Sequence, residues 1–507
     1  MRTLYRARAV HTQAFPASGE WVLVDDRHVQ RVGSGDPPAA DRVVDLPGAT
    51  ITPGFVDTHV HLTPTGTALA NEDVERAADA AELLAIATAR AASPRSSGGE
   101  VVWLQGFDET RWRDPRLPTL QELDAVTDRP LVIWRADGHI CLANTEAIVR
   151  AGVGDLDGAE AATGGGFSGR VRSEANDRLH RWCSQALSDR EVQDLQLRAA
   201  GLAASRGVTS VHEMSMPAGA GLRDLEVFLA HRDRLPVDAV PIVATTDVPQ
   251  IMDLRLASIG GDLPVDGSIG ARTSALLEPY ADGSGDGRAA YDDEAVEAFF
   301  LSGHTAGLQV GVHAIGDRAI EQVLSAWERV YGALDSRGRR HFRARRHRIE
   351  HVEMVSAGQV ERMSMLGIAA SVQPVFDALW GGPGALYEQR LGAERAAAMN
   401  PFRTMLERGV EVGSGSDSPV TPLDPLLGLS ALERHHDPAQ RLTREEAIRV
   451  STIGGARLAR QEDKKGTLVP GAHADLVAWD DDPFTTLEIE GIRAVLTVSL
   501  GREVFAG

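Results

Sequence analysis

Two histidines separated by one residue, His59 and His61, close the apolar segment ITPGFVD. If that segment is a β-strand, the side chains at positions i and i+2 point to the same face. Both imidazoles then converge on one point, and imidazole is a common ligand of zinc, iron and nickel. Two histidines in a surface turn are the alternative, so the pair indicates a metal site only in company with further ligands.

Three more polar residues each follow a strand-like apolar segment. His313 comes after LQVGV, His351 after RHRIE and Asp417 after VEVGSGS. Each one alone is also consistent with a polar loop residue. Together with the histidine pair they form a nitrogen and oxygen ligand set that leaves a coordination position for water, as a catalytic metal site requires. The set predicts a divalent metal, with zinc first and iron or manganese as alternatives.

The chemistry that this ligand set allows is hydrolysis. A bound divalent metal lowers the pKa of its water and polarises a carbonyl group. Asp417 can take the proton of that water and pass it to a leaving nitrogen, and His351 or His139 can stabilise the developing oxyanion. These roles suit cleavage of a C–N bond in a small molecule. Deamination of a heterocycle and hydrolysis of an ester or lactone fit the same site. A catalytically silent scaffold is the alternative from a different class.

Other polar and aromatic residues are weaker candidates. Asp137 and His139, in the segment ADGH, are predicted to contact substrate, although a tight turn would also explain them. Arg272, in GSIGART, either faces substrate or forms a structural ion pair, and Asp317 is interpreted as the N-cap of the helix that follows it. Three tryptophans are candidates for a pocket lining or for the core: Trp112, Trp134 and Trp380.

Strands and helices alternate along the part of the chain that carries these residues. Strand candidates such as VTSVHE, LQVGVHAIG and RHRIEHVEM alternate with helical patterns such as REVQDLQLRAAGLAASRG and DRAIEQVLSAWERVYGAL. This alternation predicts an α/β fold with a parallel sheet, and the number of units favours a closed (β/α)₈ TIM barrel. Active sites of such barrels lie at the C-terminal ends of the strands, which is where the candidate ligands fall.

The remaining segments predict the domain organisation. Residues 1–50 and 465–507 both contain short strands, and we expect them to pair into one composite β-sandwich domain. The barrel then spans residues 51–464. Residues from about 63 to 195 break the strand–helix alternation and are interpreted as an insertion after the first barrel strand.

Composition narrows the class of protein further. The chain has 507 residues, too many for one compact core. A net charge of −20 argues against nucleic acid or an anionic membrane as partner. The two cysteines, Cys141 and Cys183, show no metal-type spacing and fit buried positions in a reducing compartment. With no secretory signal and no membrane-spanning apolar run, we expect a cytoplasmic enzyme with a small-molecule substrate, and a homodimer on base rates.

The motifs TPGFVDTHVHL, HAIGDRAI, RIEHVEM and SGSDSPV resemble those of the amidohydrolase superfamily. The segments WLQGFDETRW, RPLVIWRADGHICLAN and DGSIGARTSALLEPY look most like its branch of N-substituted formamide deformylases, and the resemblance covers nearly the whole chain. The resemblance implies Asp417 as the acid/base and a composite β-domain from the two ends. It also implies five metal ligands: His59, His61, His313, His351 and Asp417.

One stretch departs from the pattern of these relatives. They commonly carry a lysine at the end of the fourth strand, shortly before the DGS motif, and this lysine bridges two metals when it is carboxylated. Here the stretch reads GGDLPVDGS, without a lysine, and its nearest polar residues are Asp262 and Asp266. A two-metal centre bridged in the usual way is therefore not expected.

The departure favours a single ion with four ligands: His59, His61, His313 and Asp417. His351 would then be either a ligand or a donor to the oxyanion. Glu213, at the end of VTSVH, is the alternative source of a bridging carboxylate. Its other interpretation is a hydrogen-bond partner behind a metal-binding histidine.

Overall fold

The computed structural model describes residues 1–14, 17–70, 72–92, 101–135, 140–162, 165–217, 222–283 and 285–507. The chain divides into two compact units. The first contains Met1–His61, Ala200–Met216 and Arg232–Gly507, and the second contains Leu62–Ala199 and Pro217–His231. Among the described residues, no helix has the length and apolar character needed to cross a membrane.

The described strands are numbered in chain order. They are β1 (Arg2–His11), β2 (Ser18–Asp25), β3 (His28–Gly33), β4 (Arg42–Pro53), β5 (Phe55–Val60), β6 (Val102–Phe107), β7 (Leu131–Arg135), β8 (Ile140–Ala143), β9 (Ala159–Ala161), β10 (Phe167–Arg172), β11 (Val208–Ser215), β12 (Asp238–Val243), β13 (Ser258–Ile259), β14 (Gln309–Ala314), β15 (Arg348–His351), β16 (Ala369–Val372), β17 (Val412–Ser414), β18 (Leu476–Trp479), β19 (Ala494–Ser499) and β20 (Arg502–Ala506).

The described α-helices are Leu62–Ala70, Ala80–Ala92, Leu120–Asp124, Thr145–Ala151, Ser173–Ala186, Asp189–Ser205, Leu222–His231, Val248–Asp253, Asp293–Thr305, Asp317–Ala333, Ser336–Arg345, Ala357–Leu366, Pro374–Trp380, Leu386–Leu391, Ala393–Ala397, Phe402–Glu407, Pro425–Glu433, Arg444–Arg449 and Gly455–Leu458. A π-helical turn, Val450–Gly454, lies between the last two. The helix Asp317–Ala333 has Gly316 as its N-cap residue, so the prediction that Asp317 is that N-cap was wrong by one position.

Eight parallel strands form the sheet that carries the candidate site, in the order β17-β16-β15-β14-β13-β12-β11-β5. The sheet closes between its first and last strands, because His61 N–H donates to the Ser418 carbonyl at 3.0 Å and Asp417 N–H donates to the His59 carbonyl at 2.7 Å. The predicted (β/α)₈ barrel is thus confirmed. Its closing seam is formed by residues of the candidate site itself.

Strands from both ends of the chain share a seven-stranded sheet, in the order β20-β19-β18-β4-β1-β2-β3. β2 pairs with β3 as an antiparallel hairpin around a turn at Asp26 and Arg27. Buried side chains from both ends, among them Tyr5 and Leu476, form one hydrophobic cluster. The sheet leads directly into the barrel, because β4 is followed by β5 after a single residue.

The second unit contains a five-stranded sheet in the order β6-β7-β8-β10-β9. Trp112 and Trp134 lie in its hydrophobic clusters, so burial in a core explains both of them. Cys141 and Cys183 are buried and unpaired, as predicted, and burial raises the pKa of both thiols above its ordinary value. The candidate substrate contacts Asp137 and His139 lie outside the described residues.

Candidate metal centre

The structure brings the four candidate histidines and Asp417 together at the C-terminal ends of the barrel strands. The ring centroids of His59 and His351 are 4.9 Å apart, and those of His313 and His351 are 4.5 Å apart. His59 and His61 share one face of the segment, with centroids 5.4 Å apart. This placement agrees with the same-face alternation along β5 from which their convergence was predicted.

Each of these histidines has one ring nitrogen held by an acceptor, which orients the ring and leaves the other nitrogen toward the centre. The pairs are His59 Nδ1 with Glu350 Oε2 at 3.0 Å, His61 Nδ1 with the Met214 carbonyl at 2.9 Å, His351 Nδ1 with Gln373 Oε1 at 2.7 Å and His313 Nε2 with the Gly267 carbonyl at 3.3 Å. In these pairs the ring N–H donates. In the neutral ring, the second nitrogen, which faces the centre, then carries the lone pair that metal binding requires.

The centre passes a direct test of whether its residues suit a divalent ion. His59 Nε2 is fully buried and has no hydrogen-bond partner among the described residues. Asp417 Oδ1 lies 3.4 Å from His59 Nε2 and 3.2 Å from His61 Nε2. Two donor atoms at about 2.1 Å from one tetrahedral zinc lie about 3.4 Å apart. The spacing of the donors therefore matches a shared ion.

The charges around the centre also favour a cation. Burial opposes a charged imidazole, yet the carboxylates of Asp417, Asp262 and Glu213 raise the pKa of His61 to about 10. The pKa of His351 is raised to about 9 against the same burial, by Asp262 and Asp417 among others. The site thus stabilises positive charge. A bound divalent ion would provide that charge while the imidazoles stay neutral.

Asp262 also belongs to this centre, although no functional role was predicted for it from the sequence. Its carboxylate oxygens lie within 3.2 to 3.7 Å of the inward nitrogens of all four histidines. The sequence placed it only as a polar residue before the DGS motif. Its position four residues ahead of Asp266, at the end of a barrel strand, was the available signal.

A buried ion-pair chain behind His59 was missed altogether. Arg348 Nε donates to Glu350 Oε1 at 2.6 Å, and Glu350 Oε2 in turn accepts from His59. A second guanidinium nitrogen contacts His212 Nδ1 at 3.0 Å, and a third donates to the Thr58 carbonyl at 2.8 Å. Despite burial, the Arg348 charge and the His59 hydrogen bond hold the pKa of Glu350 near 2. Glu350 therefore stays ionised and fixes the orientation of His59.

Two of the candidate ligands adopt left-handed backbone conformations. His351 has φ of 71° and Asp417 has φ of 53°. Non-glycine residues seldom occupy this region, and they do so most often where function requires it. Consecutive residues of a regular strand point to opposite faces. The left-handed conformation of His351 lets its ring reach the centre although Glu350, the residue before it on β15, also faces inward.

The remaining candidates take different places. Glu213 is buried and pairs in register with Val60, but the clusters of described residues able to share an ion do not include it. Arg272 Nε donates to Asp282 Oδ2 at 2.7 Å, which favours the structural ion pair. Trp380 packs against Phe376, whose ring stacks on His351 at 6.0 Å, so Trp380 lies one aromatic ring away from the centre.

A second histidine–carboxylate cluster lies apart from this centre. His435 and His436 face Asp377, with His436 Nδ1 2.6 Å from Asp377 Oδ1. His435 is buried and His436 is half-buried. Since the distance at His436 is that of a charge-assisted hydrogen bond, the cluster is explained as an ion pair.

The closed barrel and its centre of histidines and carboxylates define a metal-dependent hydrolase. Comparison with known proteins agrees: the amidohydrolase family model (Amidohydro_3) matches residues 42–505. The chain belongs to the amidohydrolase family, and the prediction made from its motifs is confirmed. The family and the clustered ligands indicate a divalent metal ion as cofactor.

Individual relatives are similar over most of their length. The putative amidohydrolase YtcJ of Bacillus subtilis is 27% identical, with 92% of this chain and 91% of the relative covered. The N-substituted formamide deformylase of Arthrobacter pascens is 26% identical, with 97% and 94% covered. The crystal structure of an uncharacterized metal-dependent hydrolase from Pyrococcus furiosus has a TM-score of 0.79 and 25% identity, with 96% and 100% covered.

Replacement of His59 by alanine is expected to remove bound metal. The variant loses a buried donor that the hydrogen bond to Glu350 holds in place. Removal of a hydrogen-bond partner behind a metal ligand typically lowers metal affinity by roughly 10–100-fold. We expect removal of the ligand itself to lower the affinity further. Metal per chain, measured by elemental analysis after dialysis, reads this out. His341→Ala, on an exposed helix position, is the matched control. Unchanged stoichiometry in His59→Ala would refute the ligand assignment.

Proposed function

We propose that this amidohydrolase cleaves a non-peptide C–N bond of the amide or formamide type in a small molecule, with zinc as the metal and iron or manganese as alternatives. The observation that supports this most directly is the buried His59 Nε2 without a partner, facing Asp417 at 3.4 Å. It pairs a metal donor with a carboxylate able to carry a proton. The similarity to the deformylase is a second, coarser support for the bond class.

The roles of the residues follow from their contacts. His59, His61, His313, His351 and Asp417 would hold the metal, which when bound supplies a water of lowered pKa and polarises the substrate carbonyl. Asp417 would carry a proton from the attacking water to the leaving nitrogen. Although burial opposes it, the neighbouring imidazoles of His59 and His61 hold the pKa of Asp417 below its usual range. Asp417 is thus ionised and ready to accept a proton at neutral pH.

Some of the expectations from the sequence stay predictions. They are the substrate contacts of Asp137, His139 and Arg272, the oxyanion role of His351, a homodimer and a cytoplasmic location. The expectation of one ion rests only on the missing lysine.

A panel of substrates tests the proposed bond class. Metal-loaded enzyme is incubated with N-alkylformamides and N-arylformamides, other secondary amides, aminated heterocycles, and esters or lactones, and the released amine, formate, ammonia or acid is quantified. We expect primary amine and carboxylate from the amides, and loss of activity on chelation that returns with zinc. Release of ammonia from heterocycles would instead support deamination, and turnover of esters or lactones alone would support their hydrolysis. No turnover of any class by metal-loaded enzyme would favour the silent scaffold.

A further inference from the structure

A cavity of about 810 Å³ lies at the N-terminal end of the barrel strands, away from the metal centre. Its lining includes Asp238 and Ser258, the first residues of β12 and β13, and every lining residue belongs to the first compact unit. Substrate sites of such barrels lie at the other end of the strands. The volume is within the range of about 300–1,000 Å³ of cavities that hold small molecules. The cavity is therefore large enough for a ligand and separate from the proposed active site.

Arginines dominate the charge of the cavity lining. Its charged residues are Asp26, Arg27, Arg232, Asp233, Asp238, Arg255 and Arg502. Asp238 faces Lys465 Nζ at 3.1 Å, whereas none of the four arginines forms an ion pair with a carboxylate in the part of the chain that the structure describes. Four guanidinium groups thus face only two other carboxylates, in a chain whose net charge is −20. The local excess of positive charge suits an anion.

Four different segments contribute these arginines. Arg27 lies in the turn between β2 and β3, and Arg502 is the first residue of β20. Arg232 opens the short 3₁₀ turn before β12, and Arg255 lies between a helix and β13. Arg502 Nη2 donates to the Leu235 carbonyl at 3.0 Å, which anchors one guanidinium beside the cavity. Two hairpins of the seven-stranded sheet and two connections of the barrel therefore meet around one space.

The backbone holds the two hairpins together at this place. Gly501 has φ of 75°, and a Cβ on it would lie 1.9 Å from the Asp26 carbonyl oxygen. Only glycine permits such an approach. The Gly501 N–H donates to the Ala474 carbonyl at 3.0 Å, and the Ala474 N–H donates to the Arg27 carbonyl at 2.8 Å. Arg27 and Arg502 are thus carried by backbone segments that are already fixed against each other, which lowers the entropic cost of binding.

We propose that this cavity binds a small anion with two or more oxyanion groups, phosphate or carboxylate, through Arg27, Arg232, Arg255 and Arg502. A guanidinium group pairs with either oxyanion by two parallel N–H···O bonds. Arginines from four segments favour a ligand with several such groups, because each bidentate pair uses two oxygens of one group. The ligand is not the substrate of the proposed function, so the inference holds or fails independently of that function.

The experiment is calorimetric titration of metal-loaded protein with inorganic pyrophosphate and with glutarate, using chloride of equal ionic strength as the reference. We expect saturable binding of at least one probe, and the tighter of the two identifies phosphate or carboxylate as the preferred group. Either probe could also bind a metal ion, so the titration is repeated on chelator-stripped protein, where we expect the binding to persist. Binding that disappears with the metal, or no saturable binding of either probe at millimolar concentration, would overturn the proposal.

Substitutions then assign the binding to the cavity. Arg255→Gln and Arg502→Gln are each expected to weaken the binding of the probe by about 10–100-fold, because each removes hydrogen bonds to a charged group. Arg340→Gln, at an exposed position of the helix Ser336–Arg345, makes the same change in net charge and is expected to bind as the wild type does. Arg255→Lys keeps the charge without the planar fork and should give an intermediate affinity.

The variants also allow for an effect on folding. Arg255 is exposed, so its replacement is expected to leave the circular dichroism spectrum and the unfolding temperature unchanged. Arg502→Gln loses the hydrogen bond to Leu235, and Arg255→Gln decides the question if that variant is unstable. Wild-type affinity for the probe in well-folded Arg255→Gln and Arg502→Gln would overturn the site.

Discussion

Asp417→Asn is expected to lower kcat by about 10²–10⁴-fold, the range typical of a lost general acid–base group, while most of the bound metal remains. The change keeps the shape of the side chain and one oxygen donor but removes the negative charge that accepts the proton. Asp417 is also held by its backbone, since its N–H donates to the His59 carbonyl at 2.7 Å. We therefore expect the carboxamide to occupy the same position as the carboxylate.

This prediction is checked by measuring kcat and metal per chain on the same preparation. Asp463→Asn, at an exposed position, is the control and is expected to retain wild-type values of both. Full activity in Asp417→Asn would exclude Asp417 as the proton carrier. Complete loss of metal with the activity would instead make metal binding its main role.

Arg348→Met is expected to destabilise the protein by about 3–5 kcal/mol, because breaking a buried ion pair leaves an uncompensated charge. Arg348 is about 1% exposed and is within hydrogen-bonding distance of Glu350, His212 and the Thr58 carbonyl. Without it, Glu350 loses the charge that keeps it ionised, and its hydrogen bond to His59 loosens. We therefore expect metal affinity to fall as well, by about 10–100-fold.

Lys465→Met separates these two effects. Lys465 is equally buried and pairs with Asp475 at 2.7 Å, but its partners do not touch the four histidines in the described contacts. Denaturant unfolding of metal-free protein should show a comparable loss of stability in both variants, and metal affinity should fall only in Arg348→Met. Equal metal affinity in the two variants would remove the positioning role of the Arg348–Glu350 pair.

The sequence predicted the parts of this protein that local patterns encode. Alternation along ITPGFVDTHVH places His59 and His61 on one face, and strand–helix alternation gives the barrel, because both depend on neighbours in the chain. The rule that barrel active sites lie at strand ends then selects His313, His351 and Asp417. Short apolar runs were likewise the basis for expecting strands from the two ends of the chain to pair.

The rest depends on contacts between residues far apart in sequence. No local pattern indicates that Arg348 meets Thr58, or that Glu350 meets His59 across 291 positions. Asp262 could be read only as a polar residue after a weak strand, because its role is set by four imidazoles from three other strands. Burial of His435, and of Trp112 and Trp134 in the second unit, was equally decided by packing. The sequence by itself thus determined the barrel and five converging side chains. Only the tertiary structure decided which carboxylate they share, because closing the barrel brings together atoms that local periodicity cannot relate.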